Sequence, residues 1–152
     1  MSAVIQTPVD VQRVSLDDWP LLAQMYEEFP SSSDSLGLPP RDRAQRTTWL
    51  DRFRREGINF VAWVDELIVG HLVLMPSEVV AEMAVFVRAD YRRRGVAWAL
   101  TKAAVKEARK RGLRSLWVLV SSNNSPALVG LPKFGFQVAW ESMGEVQLIY
   151  RL

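Results

Sequence analysis

The sequence predicts an α+β domain, a mixed sheet flanked by helices in the order β-α-α-β-β-β-α-β-α-β-β. Three observations carry this. Apolar stretches of strand length recur from Phe60 to Val87, in Leu113 to Val120 and at the C-terminal end, where Val146, Leu148, Tyr150 and Leu152 alternate with more polar neighbours. An apolar arc at helical spacing, Ala97, Leu100, Thr101, Ala104, Val105 and Ala108, lies opposite Lys102, Lys106, Arg109 and Lys110, which read as a solvated face. With 152 residues, 49% of them hydrophobic, the chain has material for one substantial core, so residues 1–152 read as a single domain.

Taken in order, Val11 to Leu16 is a strand, and Asp17 or Asp18 can cap a helix from Trp19 to about Phe29. PSSSDSLGLPP, rich in turn residues, reads as a mobile loop before a second helix from about Arg41 to Glu56. Phe60 to Val64 and Leu67 to Met75 are strands joined at Asp65-Glu66, and Pro76-Ser77 turns the chain into the strand Val79 to Val87. After the helix that carries the apolar arc, Gly112 follows a basic last turn and ends it. Leu113 to Val120 is a strand, a helix starts at Ser125, and Pro132 predicts that it is cut short or kinked. Gln137 to Glu141 and Glu145 to Leu152 read as paired strands.

Composition excludes some chemistry. The chain has no cysteine, so disulfides, thiolate metal sites and a cysteine nucleophile are ruled out, and a single histidine leaves no basis for a zinc site. No basic region followed by an apolar core opens the sequence, and no apolar run approaches the length of a membrane span; a cytoplasmic protein without membrane partners is the expectation. The formal charge is only +2, which argues little for nucleic acid. Ten of the nineteen basic residues, however, lie between Arg88 and Arg114, accompanied there only by Asp90 and Glu107, so this part of the chain attracts anions.

Within it lies VFVRADYRRRGVA, Val85 to Ala97: an apolar strand, three arginines, a glycine, and a helix that begins at once. The first amides of a helix have no partners inside it and the dipole adds positive charge there, so an anion is the natural guest. Gly95 and Ala97 leave the backbone open, the amides from Arg94 to Trp98, Val96 included, can wrap a diphosphate, and Arg92, Arg93 and Arg94 supply charge-assisted hydrogen bonds. Neither a GxxxxGK[ST] loop nor a GxGxxG turn is present.

A second element, NNSPALVGLPKFGF from Asn123 to Phe136, sharpens the reading. Together the two segments resemble the GNAT superfamily of acyl-CoA-dependent N-acyltransferases. In that family a Q/R-x-x-G-x-G/A loop holds the CoA pyrophosphate and an N-x-x-A segment leads through a helix to a Gly-Phe pair. Arg92, Gly95 and Ala97 fill the first pattern; Asn124, Ala127, Gly135 and Phe136 fill the second. The resemblance implies a mostly antiparallel sheet and direct transfer of an acetyl group from acetyl-CoA to an amine, by a monomer or homodimer without metal or nucleic acid. It also implies a splayed central strand, whose amides at Val85, Phe86 and Val87 hold the pantetheine, with Phe86 or Val87 stabilising an oxyanion. Asn124 either bonds the pantetheine arm or caps the helix at Ser125.

Glu82 stands in the strand Val79 to Val87, whose Val79, Met83, Val85 and Val87 point one way and Ala84 and Phe86 the other. A carboxylate in a strand with two apolar faces needs a partner or water. It is either structural, in a salt bridge or at the strand's wet end, or a general base, its pKa raised by burial toward the working range; the family often has a glutamate base at this distance before its loop. His71, the only histidine, is the rival base, with a suitable intrinsic pKa, though its apolar strand favours a hydrogen-bonded core residue.

One departure stands out. Leu131, followed by Pro132, occupies the position where the family often has a tyrosine that protonates the leaving thiolate. Ser125, Tyr91 and Tyr150 are the possible substitutes, and water can protonate a thiolate unaided. This keeps a second reading open, a CoA-binding sensor without turnover. A nucleic-acid module is the third, but the chain lacks aromatic-basic interleaving and any recognisable motif. The acceptor is shaped in this fold by the first two helices, here carrying Glu27, Glu28 and, in the loop, Asp34, beside Arg41, Arg43, Arg46, Arg52, Arg54 and Arg55; most of these read as solvated faces, and Trp49 and Phe53 as core.

Overall fold

A computed structural model describes residues 8–29 and 39–152. Seven strands and four helices follow the predicted order: β1 (Asp10–Arg13), α1 (Trp19–Glu27), α2 (Arg43–Glu56), β2 (Ile58–Val64), β3 (Leu67–Ser77), β4 (Val80–Val87), α3 (Val96–Lys110), β5 (Ser115–Ser121), α4 (Ser125–Phe134), β6 (Gln137–Ser142) and β7 (Glu145–Arg151). They form one sheet in the order β1-β2-β3-β4-β5-β7-β6. Every pairing is antiparallel except β4 with β5, which α3 connects as a crossover. The predicted loop Pro30 to Pro40, with Asp34, falls outside the described residues but for its last two prolines.

Several boundaries differ from the sequence reading for local reasons. β1 stops at Arg13 because Leu16–Asp18 form a short 3-10 turn. Asp18 does not cap forward: its carboxylate accepts the Ser15 N–H at 2.9 Å. α2 begins at Arg43, after Asp42, whose carboxylate accepts the Gln45 N–H at 3.1 Å. Pro76 and Ser77 are not a turn but the end of β3, paired with Ala81 and Val80; the chain reverses at Glu78, with φ 58°. Proline is tolerated because the β2 ladder ends at Ile58 with Leu74, leaving one side of β3 open at Pro76. Pro132 does not cut α4 short, since the helix has only two residues left to run and the amides of Gly135 and Phe136 close on the Leu131 carbonyl.

The sheet separates two hydrophobic clusters. α1 and α2 cover one face with Leu22, Met25, Tyr26, Leu50 and Phe53 against Val61, Ile68, Val73 and Phe86, with Trp49 at the margin. α3 covers the other with Val96, Leu100, Thr101, Ala104, Val105 and Ala108, and Leu128, Leu131 and Phe134 of α4 pack beside it. Ala97, expected on that stripe, is exposed; the helix starts one residue earlier, so Val96 takes the inward place. The first turn of α3 sits close on β3 at Gly70, where an added Cβ would lie 2.9 Å from Val96 Cγ1 and 3.0 Å from Leu100 Cδ1. Gly112, at φ 75°, ends α3 as expected, with the Leu113 N–H on the Ala108 carbonyl.

Candidate active site

β4 and β5 pair at only three positions, Val80 with Ser115, Ala81 with Leu116 and Glu82 with Trp117. Beyond them β4 follows β3 as far as Val87 with Gly70, while β5 follows β7 as far as Ser121 with Glu145. The two strands therefore part at Glu82 and leave a wedge between Met83–Val87 and Val118–Ser121. At about 3.3 Å per residue the β4 side of the wedge is roughly 16 Å long.

The mouth of the wedge is the basic loop. A 3-10 turn, Ala89–Tyr91, carries the chain from Arg88 to Arg92. Arg93 and Gly95 both take left-handed backbone, φ 63° and 80°, and α3 starts at Val96. For an arginine that conformation costs about 1–2 kcal/mol, strain of the kind stored at working sites. Nothing lies within 4 Å of where a Cβ on Gly95 would stand, and the first amides of α3 have no partners within the helix. Arg92 Nε donates to the Val87 carbonyl at 3.4 Å, bringing its guanidinium back to the end of β4. The Arg94 guanidinium lies 5.2 Å over the Tyr91 ring, and Arg92, Arg93 and Arg94 are all exposed. Trp98, 51% exposed, is braced by the Phe134 ring at 4.8 Å. Asn124 caps α4, its carboxamide oxygen accepting the Ala127 N–H at 3.2 Å, which leaves its NH2 as the free donor on the far side of the wedge.

Glu82 lies at the apex. It is half-buried on the α1/α2 face, with Ala84 and Phe86, and burial pushes its carboxyl above the ordinary range, opposed by the Arg52 guanidinium on α2. His71 is elsewhere. It is fully buried, opposite Phe86 in the ladder, and both ring nitrogens are engaged. The Asn59 NH2 donates to the Phe53 carbonyl at 2.8 Å, so its oxygen is the acceptor for His71 Nε2–H at 2.9 Å. Nδ1 is then the unprotonated nitrogen and accepts the Tyr26 hydroxyl at 2.6 Å. Burial pushes the His71 pKa down to about 3. The alternative base is thus buried, with both ring nitrogens hydrogen-bonded inside the protein.

The replacements for the missing tyrosine also separate. Tyr150 pairs with Leu116, below the point where the strands part, and its hydroxyl accepts from Arg109 at the far end of α3. Tyr91 and Ser125 stand on the two sides of the wedge mouth, and Leu131 packs against the core. The charges of the first two helices are largely spent on one another: Glu27 with Arg43 at 3.0 Å, Arg52 with Glu56 at 2.9 Å, and Asp51 with Arg54 and Arg55 at 2.7 and 2.9 Å. Glu28 pairs with Arg88, whose Nε also holds the Ile68 carbonyl. Among the described residues no group of His, Asp and Glu is placed to hold a metal ion, and no helix is long and apolar enough to cross a membrane.

A strand that parts from its parallel neighbour, then a basic turn, then an open helix start is the geometry the sequence resemblance calls for. The family model of the acetyltransferase (GNAT) family matches residues 19–136. The chain belongs to the GNAT family. Solved GNAT structures share its fold at low identity. A ribosomal-protein-alanine N-acetyltransferase from Brucella melitensis is 19% identical, with a TM-score of 0.75 over 94% of this chain and 99% of that one. A GCN5-related N-acetyltransferase from Kribbella flavida is 22% identical, with a TM-score of 0.76 over 95% and 98%. The PaiA N-acetyltransferase from Thermoplasma acidophilum, solved in complex with coenzyme A, is 15% identical, with a TM-score of 0.74 over 95% and 99%.

Sequence reasoning missed two features around this candidate site. One is Gly70, whose lack of a side chain seats the start of α3. The other is Trp117, the ladder partner of Glu82. The signal for the second lay in SLWVLVS, where alternation places a tryptophan on the same face as two serines.

Proposed function

We propose that this GNAT protein is an N-acetyltransferase that moves an acetyl group from acetyl-CoA to an amine. The observation that carries the reading is that β4 joins an anion cradle, at its open end, to a half-buried carboxylate at the point where β4 and β5 part. Acetyl-CoA supplies the thioester carbonyl. The amides from Arg94 to Trp98 at the start of α3 and the guanidiniums of Arg92, Arg93 and Arg94 hold its diphosphate, the unpaired edge of Val85, Phe86 and Val87 lines its arm, and the Asn124 NH2 faces the arm from the cap of α4.

Glu82 is the general base. An alkylammonium of pKa about 10.4 is inert as a nucleophile at pH 7. It gives one proton to Glu82, which passes it to solvent. The neutral nitrogen then bonds to the thioester carbonyl carbon, the C–S bond breaks, and the second N–H proton ends on the departing thiolate, giving an amide and free CoA thiol. An amide at Phe86 or Val87 is the donor for the developing oxyanion. Because a thiol of pKa about 8.5 is a fair leaving group, Leu131 in place of a hydroxyl does not forbid the last proton transfer.

Thermal unfolding with and without acetyl-CoA tests the cradle, since ligand at about a hundred times its Kd stabilises by about 2.7 kcal/mol. Thiol release with a panel of amines then tests turnover. The packing of Leu131 against the core favours one other reading, a CoA-binding sensor; acetyl-CoA stabilisation without thiol release from any amine selects it.

A further inference from the structure

The side of the site away from the cradle shows what the acceptor is built of. Glu82 is the last β4 residue paired with β5, and its partner is Trp117. Residues directly opposite in a ladder leave the same face of the sheet, with the strands about 4.8 Å apart. On β5 and β7 the two faces differ. Leu116, Val118, Val120, Val146 and Leu148 are buried in the cluster under α3 and α4. Trp117, Leu119 and Ile149 point the other way and are half-exposed. The register adds Trp140 of β6, which lies opposite Gln147 and is 43% exposed. Among the described residues, none of these four joins either hydrophobic cluster. α1 and α2 cover this face over β2, β3 and part of β4, so Glu82 stands on the seam between the covered half of the sheet and an apolar shelf.

An ammonium that reaches Glu82 along the shelf passes the Trp117 ring. The indole face attracts a cation, and the surrounding Leu119 and Ile149 take whatever apolar body the amine carries. Gln147, opposite both Leu119 and Trp140, is the polar side chain among them, so a polar body meets one hydrogen-bonding partner and little apolar contact. Resting on acetyl transfer with Glu82 as base, we infer that the acceptor is a primary amine carried on an apolar body, and that Trp117 is the residue that selects it.

Two probes present the same primary amine on unlike bodies: 2-phenylethylamine and 2-aminoethanol. With acetyl-CoA saturating, kcat/KM from thiol release is expected to favour 2-phenylethylamine by roughly tenfold or more. Trp117→Ala is expected to cost 2-phenylethylamine roughly tenfold more than 2-aminoethanol, mainly through KM. Trp117→Phe, which keeps a ring, is expected to retain most of the preference, and both variants to keep the acetyl-CoA thermal shift. Equal use of the two amines, or a preference that survives Trp117→Ala, overturns the proposal; so does failure of both amines in a protein that acetyl-CoA stabilises. If acetyl-CoA gives no shift, acetyl transfer has failed on its own account. The shelf is then judged by the thermal shift with 2-phenylethylamine alone: its loss in Trp117→Ala upholds the aromatic seat, and its absence in the wild type overturns it.

Discussion

Replacing His71 with Gln separates the two candidate bases without any knowledge of the substrate. In the native fold His71 is neutral, with its pKa pushed from 6.5 down to about 3 by burial. The unfolded chain binds a proton near pH 6.5 that the folded one refuses, so this residue's share of stability is intact above pH 6.5 and is lost as pH falls toward 3. Each pH unit in that window costs about 1.4 kcal/mol, so going from pH 7 to pH 4.5 removes roughly 2–3 kcal/mol through His71 alone. The expected measurement is urea unfolding of wild type and His71→Gln at both pH values. At pH 7 the wild type leads, because the substitution disturbs the bonds to Tyr26 and Asn59; at pH 4.5 its lead shrinks by roughly 2–3 kcal/mol. Subtracting the variant cancels Glu82 and the other carboxylates. A lead that is the same at both pH values would refute the sealed, neutral imidazole and return His71 to the list of bases.

The remaining predictions concern the cradle and Glu82. Gly95→Glu meets no atom within 4 Å, so it is expected to fold at a cost of about 1–2 kcal/mol for its left-handed backbone and to lose the acetyl-CoA thermal shift through bulk and charge; a folded variant with full affinity would remove the cradle from this loop. Gly70→Ala drives a methyl into Val96 and Leu100, and is expected to destabilise by about 1–3 kcal/mol and to weaken acetyl-CoA binding by displacing the first turn of α3; unchanged affinity by calorimetry would show that the turn does not contact the ligand. Glu82→Gln is expected to lower kcat far more than acetyl-CoA affinity, with the loss smaller at high pH, where the amine deprotonates unaided. In the wild type the acidic limb of kcat/KM should lie above the ordinary carboxylate value of 4.5, because burial raises the Glu82 pKa; Arg52→Ala removes the charge that opposes this and should move the limb to higher pH. A limb that ignores both substitutions would exclude Glu82 as the titrating group.

What the sequence made legible was mostly local. Gly95 and Gly112 mark the ends of α3 because their roles depend on neighbours within one turn, and the alternation around Glu82 shows a carboxylate between two apolar faces. What escaped it depends on distant partners. Pro76 reads as a turn unless it is known that β2 stops at Ile58, and Pro132 reads as a break unless the closing bonds on Leu131 are known. His71 owes its neutrality to Tyr26, 45 residues away, and to Asn59, 12 away. Trp117 looks like one more strand aromatic until the helices are seen to cover only half the sheet.

The wedge itself has no local signal either, yet it explains why the proposed cradle and the proposed base belong to one site. A central strand normally pairs on both edges, and buried backbone polar groups left without partners are costly. Between Met83 and Val87, β4 is paired with β3 on one edge and has lost β5 on the other. A guest that fills the gap must therefore offer hydrogen-bonding groups along an extended arm, as a strand does. At the mouth the same guest meets three exposed arginines and an open helix start, so it must end in an anion. A thioester carried on an amide-bearing arm with a diphosphate at its end meets both demands, and the proposed placement directs its reactive carbon toward Glu82. Gly95→Glu and Glu82→Gln probe the two ends of that one ligand. If they act on a single molecule, the first should abolish binding and the second should leave binding while removing turnover; a Glu82→Gln variant that lost acetyl-CoA affinity as completely as Gly95→Glu would break the argument.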